Sequence, residues 1–303
     1  MGYNVASEIR RWAGVIRENV PLSACTTLRL GGPADFLAEP GSEAELREAL
    51  TWARERGLPV TVIGRGSNLL VRDGGIRGLV IRIAGSLGGL TVAGETLTAG
   101  AGAALTEVSR LAADRGLAGL SFAAGIPGSV GGGTVMNAGA YGGELCQTVV
   151  SVEGLRPDGT PFRYTAEELG FGYRESRLQH EEVLLTRVEM RLTPGDPEAI
   201  RAEMREFNRR RAEKQPLNLP SAGSTFKRPA GGFAAELIDR CGLKGLRIGG
   251  AQVSEKHAGF LVNLGGTAAD FEALMNEVAR RVLQETGVAL TPEVRILGEA
   301  VRA

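Results

Sequence analysis

The sequence predicts an α+β chain of about two domains. Three observations carry that expectation. Residues 35–63 read as a strand, a capped amphipathic helix and a second strand; short apolar runs recur from 79 to 99 and from 149 to 192; and Asp196-Pro197 opens a long helix before a final stretch of alternating helices and strands. At 303 residues the chain is long enough for two separate cores. Its 35 basic and 35 acidic residues balance, so charge gives no reason to expect nucleic acid or a membrane surface as a partner.

In chain order, residues 21–34 read as a β-rich strip closed by a Gly31-Gly32-Pro33 turn, and a strand follows over 35–39. Ser42 and Glu45 form a capping box for a helix whose inner stripe is Leu46, Ala49, Leu50 and Ala53, and Gly57 supplies its left-handed stop. The apolar run 59–63 completes a β-α-β unit. Leu79-Val80-Ile81, Leu90-Thr91-Val92 and Leu97-Thr98-Ala99 are expected to start a new sheet. A helix with Leu105, Val108, Leu111 and Ala112 on one face ends at Gly116, and strands follow over 149–155, 162–164 and 183–192.

A boundary falls near Thr193-Pro194-Gly195. Beyond it, Asp196 as N-cap and Pro197 at the first helical position open a helix to about Lys214. Its Arg201, Arg205, Arg209, Arg210 and Arg211 are expected on a solvated face with Glu203, Glu206 and Glu213. A helix over 233–241, a run over 246–250 that leads into a strand, a second strand over 259–264, a helix boxed by Thr267 and Asp270, and a short strand over 291–298 complete the chain.

Two glycine-rich stretches carry the functional signal. Residues 116–143 hold no charged side chain in 28 positions, and 123–143 contains eight glycines in 21. Ile126, Pro127, Val130, Val135, Met136 and Tyr141 interrupt those glycines, so the loop is packed and not a linker. Glycine admits positive φ and close approach, which fits main-chain N–H groups aimed at an anion; a tight crossing of two elements is the structural alternative. Gly64-Arg65-Gly66-Ser67-Asn68 directly after the 59–63 strand makes a second anion-cradling turn. It is not a Gly-x-Gly-x-x-Gly fingerprint, because position 69 is Leu. The two loops could hold one diphosphate from opposite sides. Gly172-Tyr173-Arg174-Glu175-Ser176-Arg177 reads as a loop facing a cleft or as a surface turn, and Ser224 sits among small residues as a proton donor or binding group. With no triad partner in view, Ser224 is not read as a nucleophile.

Cys25, Cys146 and Cys241 are odd in number and unpaired in spacing, as for free thiols in a reducing compartment. His180 and His257 are the only histidines, too few for a His/Cys metal site. Residues 1–14 lack the apolar core of a signal peptide, and no apolar run approaches a membrane span. A soluble, cytoplasmic protein is expected.

Seven motifs, taken together, resemble one family over about residues 20–298. They are Thr26-Thr27 with Gly31-Gly32-Pro33-Ala34; Gly64-Arg65-Gly66-Ser67-Asn68-Leu69-Leu70; Ala124-Gly125-Ile126-Pro127-Gly128-Ser129-Val130-Gly131-Gly132; Met136-Asn137-Ala138-Gly139-Ala140-Tyr141-Gly142; Tyr173-Arg174-Glu175-Ser176; Ala222-Gly223-Ser224-Thr225-Phe226-Lys227; and Pro292-Glu293-Val294-Arg295. The chain resembles the UDP-N-acetylenolpyruvoylglucosamine reductases, the MurB family. That resemblance implies an FAD-binding lobe of the vanillyl-alcohol-oxidase (PCMH) type in two subdomains, 1–84 and 85–194. It also implies an α/β substrate-binding domain, 195–303, whose last strand returns to the active site.

NADPH would reduce the flavin and leave, and the UDP-sugar enolpyruvyl ether would replace it. Flavin N5 would give hydride to C3 and a proton would reach C2, forming UDP-N-acetylmuramate for peptidoglycan. By motif position Ser224 is the proton donor, while Arg174 and Glu293 polarise the substrate carboxylate and stabilise the enol. Glu293 must be protonated to donate there, which needs a desolvated site.

The cofactor would be held by Gly64, Arg65, Gly66, Ser67, Asn68 and Leu69. The glycine loop would add Ala124, Gly125, Ile126, Pro127, Gly128, Ser129, Gly131 and Gly132, then Asn137, Ala138, Gly139, Ala140 and Tyr141. Tyr173, Lys227, Arg228 and His257 fall to the substrate, with a core or surface role as the alternative for His257. Only about 20 residues separate Arg174 from Thr193, so the chain resembles the family's shorter second type, without the inserted loop that carries a substrate-gripping tyrosine. Two other readings remain open at this stage: an FAD-dependent alcohol oxidase of the same flavin fold, and a non-catalytic nucleotide-binding module.

Overall fold

The computed structural model describes residues 16–85, 87 and 89–301, so the expectation for 1–14 lies outside the described residues. The described residues divide into two compact units: one takes in 16–20, 34–65 and most of 77–208, the other 21–33, 66–76 and 209–301.

The first unit contains two sheets over one continuous core. In the four-stranded sheet the spatial order is Ile16–Pro21, Pro33–Ala38, Ile76–Arg82, Val60–Ile63, and the last two strands are parallel. The helix Glu43–Glu55 forms where the capping box placed it. Ser42 Oγ accepts the N–H of Glu45 at 3.2 Å, and the Glu45 carboxylate accepts that of Gly41 at 2.7 Å. Leu46, Ala49, Leu50, Trp52 and Ala53 are its buried residues. The run 79–81 does not begin a new sheet; its strand lies between the two strands of the β-α-β unit. Leu79, Val80 and Ile81 are all fully buried, and a strand covered on both faces reads as one apolar run whichever sheet it joins.

The second sheet is antiparallel, in the order Pro161–Thr165, Val149–Leu155, Leu184–Arg191, Thr96–Gly100, Leu90–Ala93. The helix Leu105–Asp114 buries Leu105, Val108, Ala112 and Ala113. Ser109, not Leu111, completes that inner face, and its hydroxyl donates to the carbonyl of Leu120 at 2.8 Å.

The second unit is built on the antiparallel order Ser221–Ser224, Phe260–Asn263, Ala251–Val253, Arg247–Ile248. Its core takes Ile238 from the helix Ala234–Arg240 and Phe271, Leu274, Met275, Val278 and Val282 from Ala268–Thr286. Phe271 is fully buried, and truncating such a side chain costs about 3–5 kcal/mol. The long helix Pro197–Lys214 buries only Ile200. Arg201 pairs with Glu198 and Asp114, and Arg209 with Glu213, the solvated arrangement expected of its arginines.

The β-rich reading of 21–34 is corrected: after Pro21 the chain enters a 3-10 turn, Leu22–Cys25, and forms no strand until Pro33–Ala38. Leu28 and Leu30 enter the second unit's core, so their apolar character reflects packing and not a ladder.

Segment 66–76 is fastened to the second unit by three independent contacts. Leu69–Val71 pairs in parallel with Arg295–Leu297. Asp73 accepts the N–H groups of Ala268 and Ala269 with its two carboxylate oxygens, each at 2.9 Å, a negative charge at the positive end of a helix. Arg72 grips both carboxylate oxygens of Glu272, at 3.0 and 2.8 Å. Among the described residues no helix is long and apolar enough to cross a membrane, and the three cysteines are free.

The hydrogen bond from Arg72 holds the Glu272 carboxyl below its usual range. The pair therefore adds stability above the ordinary glutamate pKa of about 4.3 and loses it as pH falls through the lower folded value. Glu272→Gln is expected to cost about 1 kcal/mol at neutral pH. Urea unfolding of both proteins should show that deficit shrinking to nothing in acid; an equal deficit at both pH values would exclude the pairing as its source.

Candidate active site

The turn after Val60–Ile63 and the glycine loop come together within the first unit. A Cβ on Gly64 would lie 2.5 Å from Ser129 Oγ, so only glycine lets the two loops approach this closely. Ser129 is buried and caps the short helix Val130–Val135, its Oγ accepting the N–H of Gly132 at 3.2 Å. The first amides of that helix are engaged internally: Val130 donates to the carbonyl of Ala103 and Gly131 to that of Ala101. Gly131 and Gly133 serve close packing, since added Cβ atoms would meet Ala101 Cβ and Leu105 Cδ1, each at 2.9 Å. For these two glycines the tight-crossing alternative describes what the structure shows.

Donors nevertheless remain. Among the described residues, the amides of Gly128 and Ser129 and of Arg65, Gly66, Ser67 and Asn68 donate to no protein acceptor. Runs of main-chain N–H groups without a protein acceptor are the kind of feature that can take an anion. Gly66, at φ +66°, also brings its carbonyl to the Thr27 N–H at 3.1 Å, and its Cβ position would fall 2.0 Å from the Cys25 carbonyl oxygen. Leu69 begins the strand that pairs with Arg295. Ala124 and Gly125 close a 3-10 turn, and Ile126 packs on the first unit's core.

The end of the glycine loop holds Arg174. Its Nη1 donates to the Asn137 carbonyl at 3.2 Å and its Nη2 to the Gly139 carbonyl at 2.7 Å, while its guanidinium carbon lies 5.1 Å from the Tyr173 ring centre. Asn137, Tyr141 and Arg174 have φ of +41°, +54° and +54°. Three non-glycine residues in the left-handed region at one place mark local strain of the kind that collects at working sites. Ala138 donates to the Gly133 carbonyl, Gly139 and Ala140 form a two-residue strand, and Tyr141 stacks on Phe207 with ring centres 4.6 Å apart.

In the second unit the chain brings Ser224 and Glu293 onto adjacent segments. Ser221 pairs with Val262 and Ser224 with Phe260, three steps on one strand against two on the other, and Gly223 sits at φ +76°. That bulge re-aims the side chains that follow: Ser224 is exposed and Thr225 buried. Thr225 Oγ1 accepts the N–H of Leu261 at 3.2 Å, and its carbonyl accepts the N–H of Glu293 at 2.8 Å. Asn68 Nδ2 donates to the Glu293 carbonyl at 3.0 Å. Asn68 therefore braces the acid as well as lying in the phosphate-cradle motif. In the sequence Thr225 is a motif member with no role of its own and Asn68 falls to the cofactor; their bracing contacts join Glu293 to residues far from it in the chain, for Asn68 225 positions away.

The residues expected on the substrate divide. Tyr173 is exposed; Lys227 donates its amide to the Thr291 carbonyl at 2.8 Å; Arg228 lies over the exposed Phe233 ring, 4.4 Å from its centre. His257 Nδ1 accepts the N–H of Gly259 at 3.1 Å, and its ring packs edge-on to Phe260. Burial, chiefly, pushes the His257 pKa down, with Lys244 and Lys214 adding to the effect, and the ring fastens its own turn.

Comparison with known proteins follows this geometry. Residues 34–165 match a family model described as an FAD binding domain, and 215–297 match one described as the UDP-N-acetylenolpyruvoylglucosamine reductase C-terminal domain. The chain is 52% identical over 281 residues to a UDP-N-acetylenolpyruvoylglucosamine reductase of Rubrobacter xylanophilus, covering 92% of this chain and 94% of the relative. It is 50% identical over 285 residues to that of Levilactobacillus brevis, covering 94% and 93%. The crystal structure of the Thermus caldophilus reductase superposes with a TM-score of 0.80 at 40% identity, over 93% of this chain and 100% of that one.

Because a Cβ at position 64 would strike Ser129 Oγ, Gly64→Ala is expected to lower stability by about 1–3 kcal/mol and to reduce bound flavin absorbance. Ser129→Ala removes the struck atom. The double variant should be less impaired than the sum of the single ones; strict additivity in thermal unfolding would show that the two loops do not touch.

Proposed function

The chain belongs to the UDP-N-acetylenolpyruvoylglucosamine reductase family, and on that premise we propose that it reduces the enolpyruvyl ether of a UDP-sugar to UDP-N-acetylmuramate with electrons from NADPH. It is a flavoprotein enzyme with an FAD-binding domain, and membership in this family takes the place of the alcohol-oxidase and non-catalytic readings. The residues present fit FAD: within the first unit the amides of Arg65, Gly128 and Ser129, which donate to no protein acceptor, suit a diphosphate, and glycine at 64 permits the approach of the two loops. Residues 1–84 and 85–194 would form the two parts of the cofactor lobe and 195–303 the substrate domain. The free thiols and the absence, among the described residues, of a membrane-crossing helix accord with work in the cytoplasm.

Once reduced by NADPH, bound FAD would supply the hydride that adds at C3 of the enolpyruvyl group. The protein's own contribution is to place charge and a proton. Addition at C3 drives electron density onto the substrate carboxylate, and a cation aimed there in advance lowers the barrier. Arg174 would take that role, its two terminal nitrogens set by the carbonyls of Asn137 and Gly139. Glu293 would assist from a backbone fixed by Thr225 and Asn68.

Ser224 would deliver its hydroxyl proton to C2. A hydroxyl is a weak acid, so the transfer needs a strongly basic carbon at close range. The observation that carries this assignment is the bulged strand, which turns Ser224 outward while Thr225 locks the same strand to the Glu293 segment. Tyr173, Lys227 and Arg228 would complete the substrate surface.

Ser224→Ala should leave NADPH-driven flavin bleaching close to normal and slow reoxidation by the enolpyruvyl substrate at least about 100-fold. Stopped-flow absorbance separates the two half-reactions, and an equal loss in both would contradict the proton-donor role.

A further inference from the structure

Asn137 is fully buried. Its side-chain nitrogen donates to Glu144 Oε2 at 3.0 Å and to the Gly172 carbonyl at 2.9 Å, and its Oδ1 accepts the N–H of Cys146 at 2.9 Å. Both amide hydrogens are therefore used within the protein. The resemblance grouped Asn137 with the cofactor residues, yet its side chain faces three protein segments. Those segments carry the setting of Arg174: the hairpin that includes Gly139 and Glu144, the turn at Cys146, and the loop that starts at Gly172. The Asn137 carbonyl is itself one of the acceptors for the Arg174 guanidinium.

We propose that Asn137 is the positioning residue for Arg174: by tying the glycine loop to the 172–175 loop it fixes the direction in which the guanidinium meets the substrate carboxylate. The proposal rests on the reading of Arg174 as the carboxylate-polarising residue. An arginine has many rotamers, and one already held by two carbonyls loses less freedom on binding. The backbone angle supports the assignment. At φ +41° asparagine is among the better tolerated non-glycine residues, and no other polar side chain of that length offers two donors and an acceptor.

Asn137→Gly is the sharpest test, because glycine adopts the same backbone angle without strain. In the holoenzyme, flavin occupancy is read by absorbance, flavin bleaching by NADPH and reoxidation by substrate are followed separately, and the change is repeated in an Arg174→Ala background. The expected result is that reoxidation falls about 100-fold relative to bleaching, the scale of a misplaced catalytic group, and that the same change costs at most a few-fold more once Arg174 is gone. Flavin loss, an equal fall in both half-reactions, or full additivity with Arg174→Ala would overturn the proposal. If Arg174→Ala alone reoxidises at the parent rate, the reading of Arg174 fails and this proposal fails with it; a clear Arg174→Ala defect joined by additivity overturns the positioning role only. Should Asn137→Gly not fold, Glu144→Ala removes one acceptor of the same amide and is judged by the same outcomes.

Discussion

No side chain fits between residue 64 and Ser129. A Cβ there would come within 2.5 Å of the serine oxygen, and that oxygen already caps the helix Val130–Val135. This steric constraint lets the turn after Val60–Ile63 and the glycine loop share one place in the first unit. Beside it in the first unit lie the amides of Arg65, Gly128 and Ser129, which donate to no protein acceptor. Gly131 and Gly133 act one layer below, allowing the short helix to press on Ala101 and Leu105. Glycine in this loop therefore has two tasks, close packing beneath and donor groups above. Charged residues are absent because such packing would strip their hydration.

Main-chain contacts help set the polar groups of the candidate site. Arg174 lies on two loop carbonyls. Glu293 is located by the carbonyl of Thr225 and the amide of Asn68. Ser224 owes its outward direction to a bulge at Gly223. A main-chain carbonyl is a neutral acceptor, so it fixes a direction without adding a counter-charge of its own. Segment 66–76 shows the same economy: strand pairing, the Asp73 contact with a helix N-terminus and the Arg72–Glu272 pair together fix it in the second unit, while the turn just before it contributes to the first.

Local order was readable where a signal is short-range. The capping boxes at Ser42 and Thr267, the Pro197 helix start and the strands of the antiparallel sheet all appear near their expected places, because each depends on residues a few positions apart. The motifs likewise named the family, since their order and spacing do not depend on how the chain is folded. What failed was sheet membership and the status of apolar runs. Leu79-Val80-Ile81 joined the first sheet, and the 21–34 strip gave core side chains instead of a strand. An apolar run records burial, and burial does not say against what.

The sequence alone determined the α+β class, the long helices but not Val130–Val135 within the glycine loop, the two glycine-rich stretches and the family. These follow from composition and from contacts within a few residues. Only the tertiary structure decided that Asn68 braces Glu293, that Thr225 locks the Ser224 strand, that the half-buried His257 ring accepts from its own turn, and that Asn137 faces the protein. Each of the first two depends on partners dozens to hundreds of residues away, the third on burial, and the fourth on which side of a buried backbone the amide faces. Pairings that distant are set by how the sheets and loops pack, and no local pattern encodes them.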